Sequence, residues 1–300
     1  MFFEGGKGMA DCLEGDCLEL KRQRIEAAKS IPAYETLLNI FERLMEITEE
    51  GIDRVRDRLK PIPLSPYMTE KFQEGLPLVD RRNFPVTDGD FDVLLDFFFT
   101  ELAGFNHAID RDLGNLEEHR KAGKISGGLL IDRFVMGSDA FLSYIFELPD
   151  INNHLLFFVL RNIFKICLIP FQDSLTEELA GLWEKGNCPI CGFPPDMGAM
   201  RGEGGKLYLH CAVCGHEWRF KRMACAFCGN DLQAELKYLE VEGDEVHRIH
   251  LCHLCGKYLK VIDARKLPEG FPVFLDLEEL TSLHLDIIAD QQGYAPGINL

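Results

Sequence analysis

The sequence predicts an α+β protein: an N-terminal all-α domain, two tandem four-cysteine metal modules of zinc-ribbon-like type, and a C-terminal helix. Two observations predict this. Apolar residues recur at helical spacing as far as residue 185, and past Gly186-Asn187 they give way to short strand-like runs. Within that second stretch stand four copies of Cys-x-x-Cys-Gly: Cys188–Gly192, Cys211–Gly215, Cys225–Gly229 and Cys252–Gly256.

In chain order, residues 1–20, with Gly5-Gly6, Gly8 and Gly15, read as a poorly ordered lead-in, and 21–186 as the helical domain. Leu37, Leu38, Phe41, Leu44, Met45, Ile52 and Val55 mark a helix over 33–59 that Pro61 and Pro63 end. A long loop through Pro66, Pro77 and Pro85 follows. Thr87 or Asp88 caps the next helix, whose Phe91, Leu94, Leu95, Phe98, Phe99 and Leu102 form a wide core face. Further helical patterns cover about 110–122, 129–146, 154–169 and 171–185, with Pro170 as a kink or boundary. Residues 187–224 and 225–265 read as the first and second metal modules. Their strand-like runs are Leu207–His210, Glu217–Phe220, Lys237–Val241 and Tyr258–Ile262. In the last segment, 266–300, a helix over 276–291 presents Leu277, Leu280, Leu283 and Ile287 on one face.

The cysteine spacing has a chemical reason. Two intervening residues let a tight turn aim both thiols at one ion, and the following glycine supplies the positive φ that turns the next amides back toward the sulfurs. Two such knuckles close a tetrahedral four-thiolate shell, so Cys188, Cys191, Cys211, Cys214, Cys225, Cys228, Cys252 and Cys255 are the candidate ligands of two metal ions. Consecutive pairing is expected, with an interleaved cross-brace as the rival. Hairpins this small bury little, and metal binding worth about 10 kcal/mol or more would stabilise them. Loss of both ions is therefore expected to unfold 188–265 while the helical domain survives. A thioredoxin-like redox motif needs one such pair at a strand-to-helix junction. A zinc deaminase needs His-x-Glu with Pro-Cys-x-x-Cys, but here His216-Glu217 is adjacent and Pro189 follows its cysteine. Cys167 sits in an apolar helical run and reads as core, whereas Cys12 and Cys17 lack the pattern.

Charge narrows the function. The chain carries net charge −17, with 21 Lys+Arg against 33 Asp+Glu in residues 1–186, 10 against 10 in 187–265 and 1 against 6 thereafter. A nucleic-acid binder displays a basic face, and here only Trp218-Arg219-Phe220-Lys221-Arg222 offers one. The longest apolar run, Leu155–Phe171, is interrupted by Arg161, Asn162 and Lys165, so no membrane insertion is expected. Met1-Phe-Phe-Glu4 begins no secretory signal, which places the expected compartment in the cytoplasm, where clustered cysteines favour metal over disulfides.

From about His154 onward the sequence resembles the formate dehydrogenase accessory protein FdhE family. The resemblance lies in Leu209-His210-Cys-x-x-Cys-Gly-x-Glu217-Trp218-Arg219, Arg222, Cys225-x-x-Cys228-Gly229 and Cys252-x-x-Cys255-Gly256-x-Tyr258-Leu259-Lys260. Leu168-Ile169-Pro170-Phe171, Leu285-Asp286 and Gln292-Gly293-Tyr294 are similar to that family as well. The resemblance implies two rubredoxin-like modules with the eight cysteines as ligands, in a cytoplasmic maturation factor that binds iron and contacts the catalytic subunit of respiratory formate dehydrogenase. Zinc is the alternative ion, because tetrahedral thiolate sites suit both. Such a factor is a binding protein and not an enzyme. No phosphate loop, nucleophile elbow or dinucleotide fingerprint appears, and His210, His216, His250 and His253 read as surface or supporting residues of filled sites. The alternatives are a rubredoxin-like electron carrier and a zinc-ribbon nucleic-acid adaptor. Lys257, Tyr258 and Lys260, just past the fourth knuckle, are the expected partner surface. The sequence is also compatible with a homo-oligomer.

Overall fold

The computed structural model describes residues 15–60, 65–105, 107–175 and 180–298. The first helices are α1 (Gly15–Lys29), α2 (Pro32–Val55), α3 (Pro66–Gln73) and α4 (Asp88–Leu102). They are followed by α5 (His107–Lys121), α6 (Gly127–Val135), α7 (Ser138–Phe146), α8 (Asn153–Cys167) and α9 (Ile169–Ser174). The glycine-bearing lead-in ends sooner than expected, since Gly15–Leu20 already belong to α1; residues 1–14 lie outside the described residues. The supposed long loop contains α3, where Ser65 accepts from the Met68 amide and Pro66 opens the helix. Thr87 caps α4 through a reciprocal capping box with Asp90. The expected helix over 129–146 is two helices, because Gly137 takes φ 111° between them. Of the helix expected over 171–185, α9 accounts for the first turns, and 176–179 lie outside the described residues.

The strands are β1 (Pro195–Arg201), β2 (Lys206–Cys211), β3 (Glu217–Phe220), β4 (Leu236–Val241), β5 (Asp244–Cys252) and β6 (Lys257–Asp263), ordered β3-β2-β1-β6-β5-β4 in one sheet. Each module contributes three antiparallel strands in the pattern knuckle, strand, strand, knuckle, strand. The modules are joined by a parallel pair, Met197 opposite Lys260 through Met200 opposite Asp263. They are thus not two free beads, and the strand order places both in one plane.

The helical region and the first module share a core. Phe193, just past the first knuckle, stacks on Phe134 at 4.9 Å between ring centroids, and Phe134 stacks on Phe164 at 3.7 Å. The loop before α4 also docks directly, with the Leu78 and Val79 amides donating to Pro189 O and Ile190 O at 2.9 and 3.0 Å. Both tryptophans of the chain fasten the connecting segment: Trp183 Nε1 donates to Asn187 O at 2.8 Å, and Trp218 Nε1 to Lys185 O at 3.2 Å.

The C-terminal helix is broken where one helix was expected. α10 (Leu275–Thr281) and α11 (Leu283–Gln291) meet at Ser282, which is fully buried and donates its hydroxyl to Glu278 O at 2.7 Å. The break rotates the apolar face. Leu277 is buried, but α11 buries Leu285 and Ala289 while Leu283 and Ile287 face outward. Buried ion pairs tie these helices to the rest, including Lys21 Nζ to Asp276 at 2.6 Å and Arg24 to Glu278 at 2.7 Å. His247 on β5 bridges Asp244 at 3.0 Å and Glu278 at 3.3 Å, and His284 also approaches Asp244.

Two predictions follow from this packing. A Cβ on Gly186 would meet Ala226 O, a backbone atom of the third knuckle, at 1.8 Å, so no side-chain adjustment can relieve it. Gly186→Ala is expected to cost about 1–3 kcal/mol in urea denaturation, as overpacking does. Equal midpoints for variant and parent would show that the connection tolerates a side chain. The second concerns pH. Burial alone would lower the His247 pKa, but the hydrogen bonds to Asp244 and Glu278 raise it to about 9. Its contribution is therefore complete below the unfolded value near 6.5 and fades as pH rises through about 9. Stability should fall by on the order of 2 kcal/mol across that window, and His247→Gln should remove that slope.

Candidate metal centres

The eight cysteines gather as two groups, Cys188, Cys191, Cys211 and Cys214 in one and Cys225, Cys228, Cys252 and Cys255 in the other. Pairing is consecutive, as the spacing predicts. Within each group the sulfurs lie within 4.8 Å of one another. The closest pairs are Cys191–Cys211 at 3.4 Å and Cys188–Cys214 at 3.5 Å in the first group, and Cys225–Cys255 and Cys228–Cys252 at 3.7 Å in the second. A tetrahedral shell with metal–sulfur bonds of about 2.3 Å has edges of about 3.8 Å, so both donor sets fit one thiophilic ion.

The knuckles are built as their sequence suggests. Gly192, Gly215, Gly229 and Gly256 all adopt positive φ, between 67° and 80°. Their amides close the turns by donating to Cys188 O, Cys211 O, Cys225 O and Cys252 O at 2.9–3.1 Å. Amides also point at sulfur: Val213 and Cys214 donate to Cys211 Sγ, and Phe227 to Cys225 Sγ, all at 3.4 Å. These dipoles favour thiolate over thiol.

The environments differ. All four cysteines of the first group are buried, and Gln172 Nε2 of α9 donates to Cys214 O at 2.8 Å. In the second group Cys228 is exposed and Cys255 is half-buried. Burial pushes the Cys188, Cys191 and Cys214 thiols up. At Cys211 burial is outweighed by hydrogen bonds from the other three, which pull it well below the ordinary thiol value. In the second group burial raises Cys225 and Cys255, and donation from amides and neighbouring thiols lowers Cys252 to about 7.

The flanking histidines divide. Buried His210 pairs through Nδ1 with half-buried Asp196 at 2.7 Å, and His253 Nδ1 meets the Tyr294 hydroxyl at 2.6 Å. His216 is buried beside Trp218 with neither ring nitrogen partnered, and burial holds its pKa near 4. Cys167 is buried core, as read from sequence. Cys12 lies outside the described residues, and Cys17 packs beside Ile25 and Phe274.

The expected partner surface is corrected by burial. Tyr258 is 7% exposed, with its hydroxyl donating to Asp286 at 2.8 Å, and Lys260 is 2% exposed, bonded to Asp286 and to Glu279 O at 2.8 Å each. The two anchor β6 to α11. Lys257 lies over the Phe227 ring and donates to Gly297 O at 2.9 Å. These partners are the Asp286 carboxylate and two backbone carbonyls, from residues 279–297, distant in sequence, so the local composition gave no sign of them. Nor did it mark Gln172 as a support of the first group, although a lone amide beside an apolar run is a signal of that kind. In the basic cluster Trp218 and Phe220 are buried and Lys221 pairs with Glu184, which leaves Arg219 and Arg222 outward.

Comparison with known proteins agrees with this architecture. The family model described as "FdhE, central domain" matches residues 187–222, from the connection through the first metal group and β3. A "Protein FdhE homolog" of Aquifex aeolicus is 25% identical over 281 residues, 92% of each chain. One from Stutzerimonas stutzeri is 35% identical over 144 residues, 42% of this chain and 46% of that one, and Escherichia coli "Protein FdhE" is 33% identical over 111 residues, 36% and 34%. The crystal structure of the FdhE protein from Pseudomonas aeruginosa shares the fold, with TM-score 0.62, 24% identity and 92% of each chain covered. Over nearly its whole length the chain is thus similar to FdhE proteins.

Proposed function

We propose that the protein is a metal-binding accessory factor for the maturation of formate dehydrogenase, acting in the cytoplasm by docking on the catalytic subunit without turnover of its own. The observation that carries this reading is the pair of tetrahedrally sized four-sulfur groups, in a chain that aligns over 92% of its length with an FdhE homologue. Similarity to FdhE proteins supports the formate dehydrogenase connection, and the donor sets support one ion each. Each ion, when bound, would supply charge neutralisation that lets four sulfurs share a turn-sized volume. The chain's own amides and glycine turns orient the sulfurs, and the Phe193 stack fixes the first group to the helices. Among the described residues no helix is long and apolar enough to cross a membrane.

A second reading is favoured by one observation. The second group reaches the surface through Cys228, which suits one-electron transfer to a docked partner if the ion is iron. Zinc has no such redox step. Elemental analysis with a visible spectrum separates the two, since ferric thiolate bands support the carrier and colourless zinc protein rules it out.

Metal content and folding give the direct test. Protein purified without added metal is expected to hold two ions per chain, and loading the stripped chain near neutral pH should release a measurable number of protons, because thiols lose theirs on ligation. Calorimetry in buffers of different ionisation enthalpy measures that number. Removal of the first ion should reduce the helical circular dichroism too, because the first group and helices α4, α6 and α8 share one core. A pull-down with a formate dehydrogenase catalytic subunit completes the test. A chain that binds neither ions nor subunit contradicts the proposal.

A further inference from the structure

The two sulfur groups share a motif but not an exit. Around the first, the Phe193 stack, the Leu78 and Val79 amides on Pro189 and Ile190, and Gln172 on Cys214 pack against the knuckles, and all four cysteines are buried. The second lies at the edge of an open cleft of about 870 Å³ between the ends of α3 and α7, the connecting segment, the third knuckle and the C-terminal tail. Cys228 and Phe227 line it from the knuckle, and Lys185 and Leu182 from the connection. That volume lies in the range of pockets that take small molecules.

Cys228 is also the most exposed of its four and, with Cys255, has fewer hydrogen-bond contacts than Cys225 and Cys252. Phe227 N donates to Cys225 Sγ at 3.4 Å, and Asn230 Nδ2 approaches Cys252 Sγ at 3.9 Å. Cys228 Sγ contacts the neighbouring Cys252 thiol at 3.7 Å. An exposed ligand sulfur at the mouth of a cleft is the one that can leave first.

We propose that the second centre is an exchange site, in which a thiol of an incoming acceptor enters the cleft and replaces Cys228, while the first centre keeps its ion. The inference rests on the reading that both groups hold metal. In the step, the bond between the ion and Cys228 Sγ breaks as the acceptor sulfur bonds to the ion, and the acceptor's thiol proton passes to Cys228. The ion keeps four sulfurs and its oxidation state. Further displacements of the same kind pass the ion to the acceptor. A small-molecule thiol and a cysteine borne on a peptide offer the same chemistry.

The full chain loaded with cobalt(II), whose thiolate bands report each centre, provides the test. Excess EDTA should remove the two ions in two phases of equal amplitude whose rates differ at least tenfold. Glutathione or an unstructured cysteine-bearing peptide should speed the fast phase alone, and whichever does so identifies the acceptor class. Cys228→Ser should abolish the fast phase and leave the slow one. Should that variant fold poorly, iodoacetamide labelling of the parent gives the same information: Cys228 and Cys255 should be alkylated after the fast phase, with Cys188, Cys191, Cys211 and Cys214 protected until the slow one. Uptake of two ions with a single phase, acceleration by neither thiol, or labelling in the reverse order would overturn the exchange role and leave metal binding standing. Failure to take up cobalt would overturn both.

Discussion

The stack of Phe193 on Phe134 is the contact on which the arrangement turns. It places the residue immediately after the first knuckle inside the aromatic core formed by Phe84, Phe91, Phe134, Phe141 and Phe164, and the Cys188 amide donates to Phe193 O at 2.8 Å. Aromatic pairs in such geometry contribute about 0.5–1.5 kcal/mol beyond the area they bury. The knuckle turn and the helical core therefore hold each other. From that anchor β1 leaves in a fixed direction, and the sheet is laid out from β1 on both sides.

Identical motifs acquire different chemistry from their surroundings. The first group, buried at all four cysteines, offers no thiol to solvent. The same four sulfurs with one exposed edge stay open to solvent and to whatever docks there. Fold alone does not assign these roles; burial and hydrogen bonding around each sulfur do.

Much of this was legible in the sequence, and the gaps have physical reasons. The four knuckles, their consecutive pairing and the strands β2, β3, β4 and β6 were readable because turn glycines and β-branched or aromatic runs are local signals. β1, Pro195-Asp-Met-Gly-Ala-Met-Arg201, carries no such signal, since it is buried on both faces and its residues are chosen to be slim or pliable. At Gly198 a Cβ would crowd Leu207 at 3.2 Å. β5 was hidden by His247, Arg248 and His250, polar residues of which His247 also meets Glu278 and Arg248 meets Asp263. The same cause misdirected the partner surface: Tyr258 and Lys260 look like an exposed interface pair until Asp286 is brought over them by α11.

The parallel joint between β1 and β6 also governs the order in which the molecule can be made. Met197 waits for Lys260, about sixty residues later, and at ordinary translation speeds of roughly 5–20 residues per second that is several seconds. Throughout that interval β1 has an unpaired edge with buried-type side chains, the kind of surface that invites association with other nascent chains. The second module is consequently also a cover that arrives late, and a chain stalled before β6 leaves the ribosome with its sheet open.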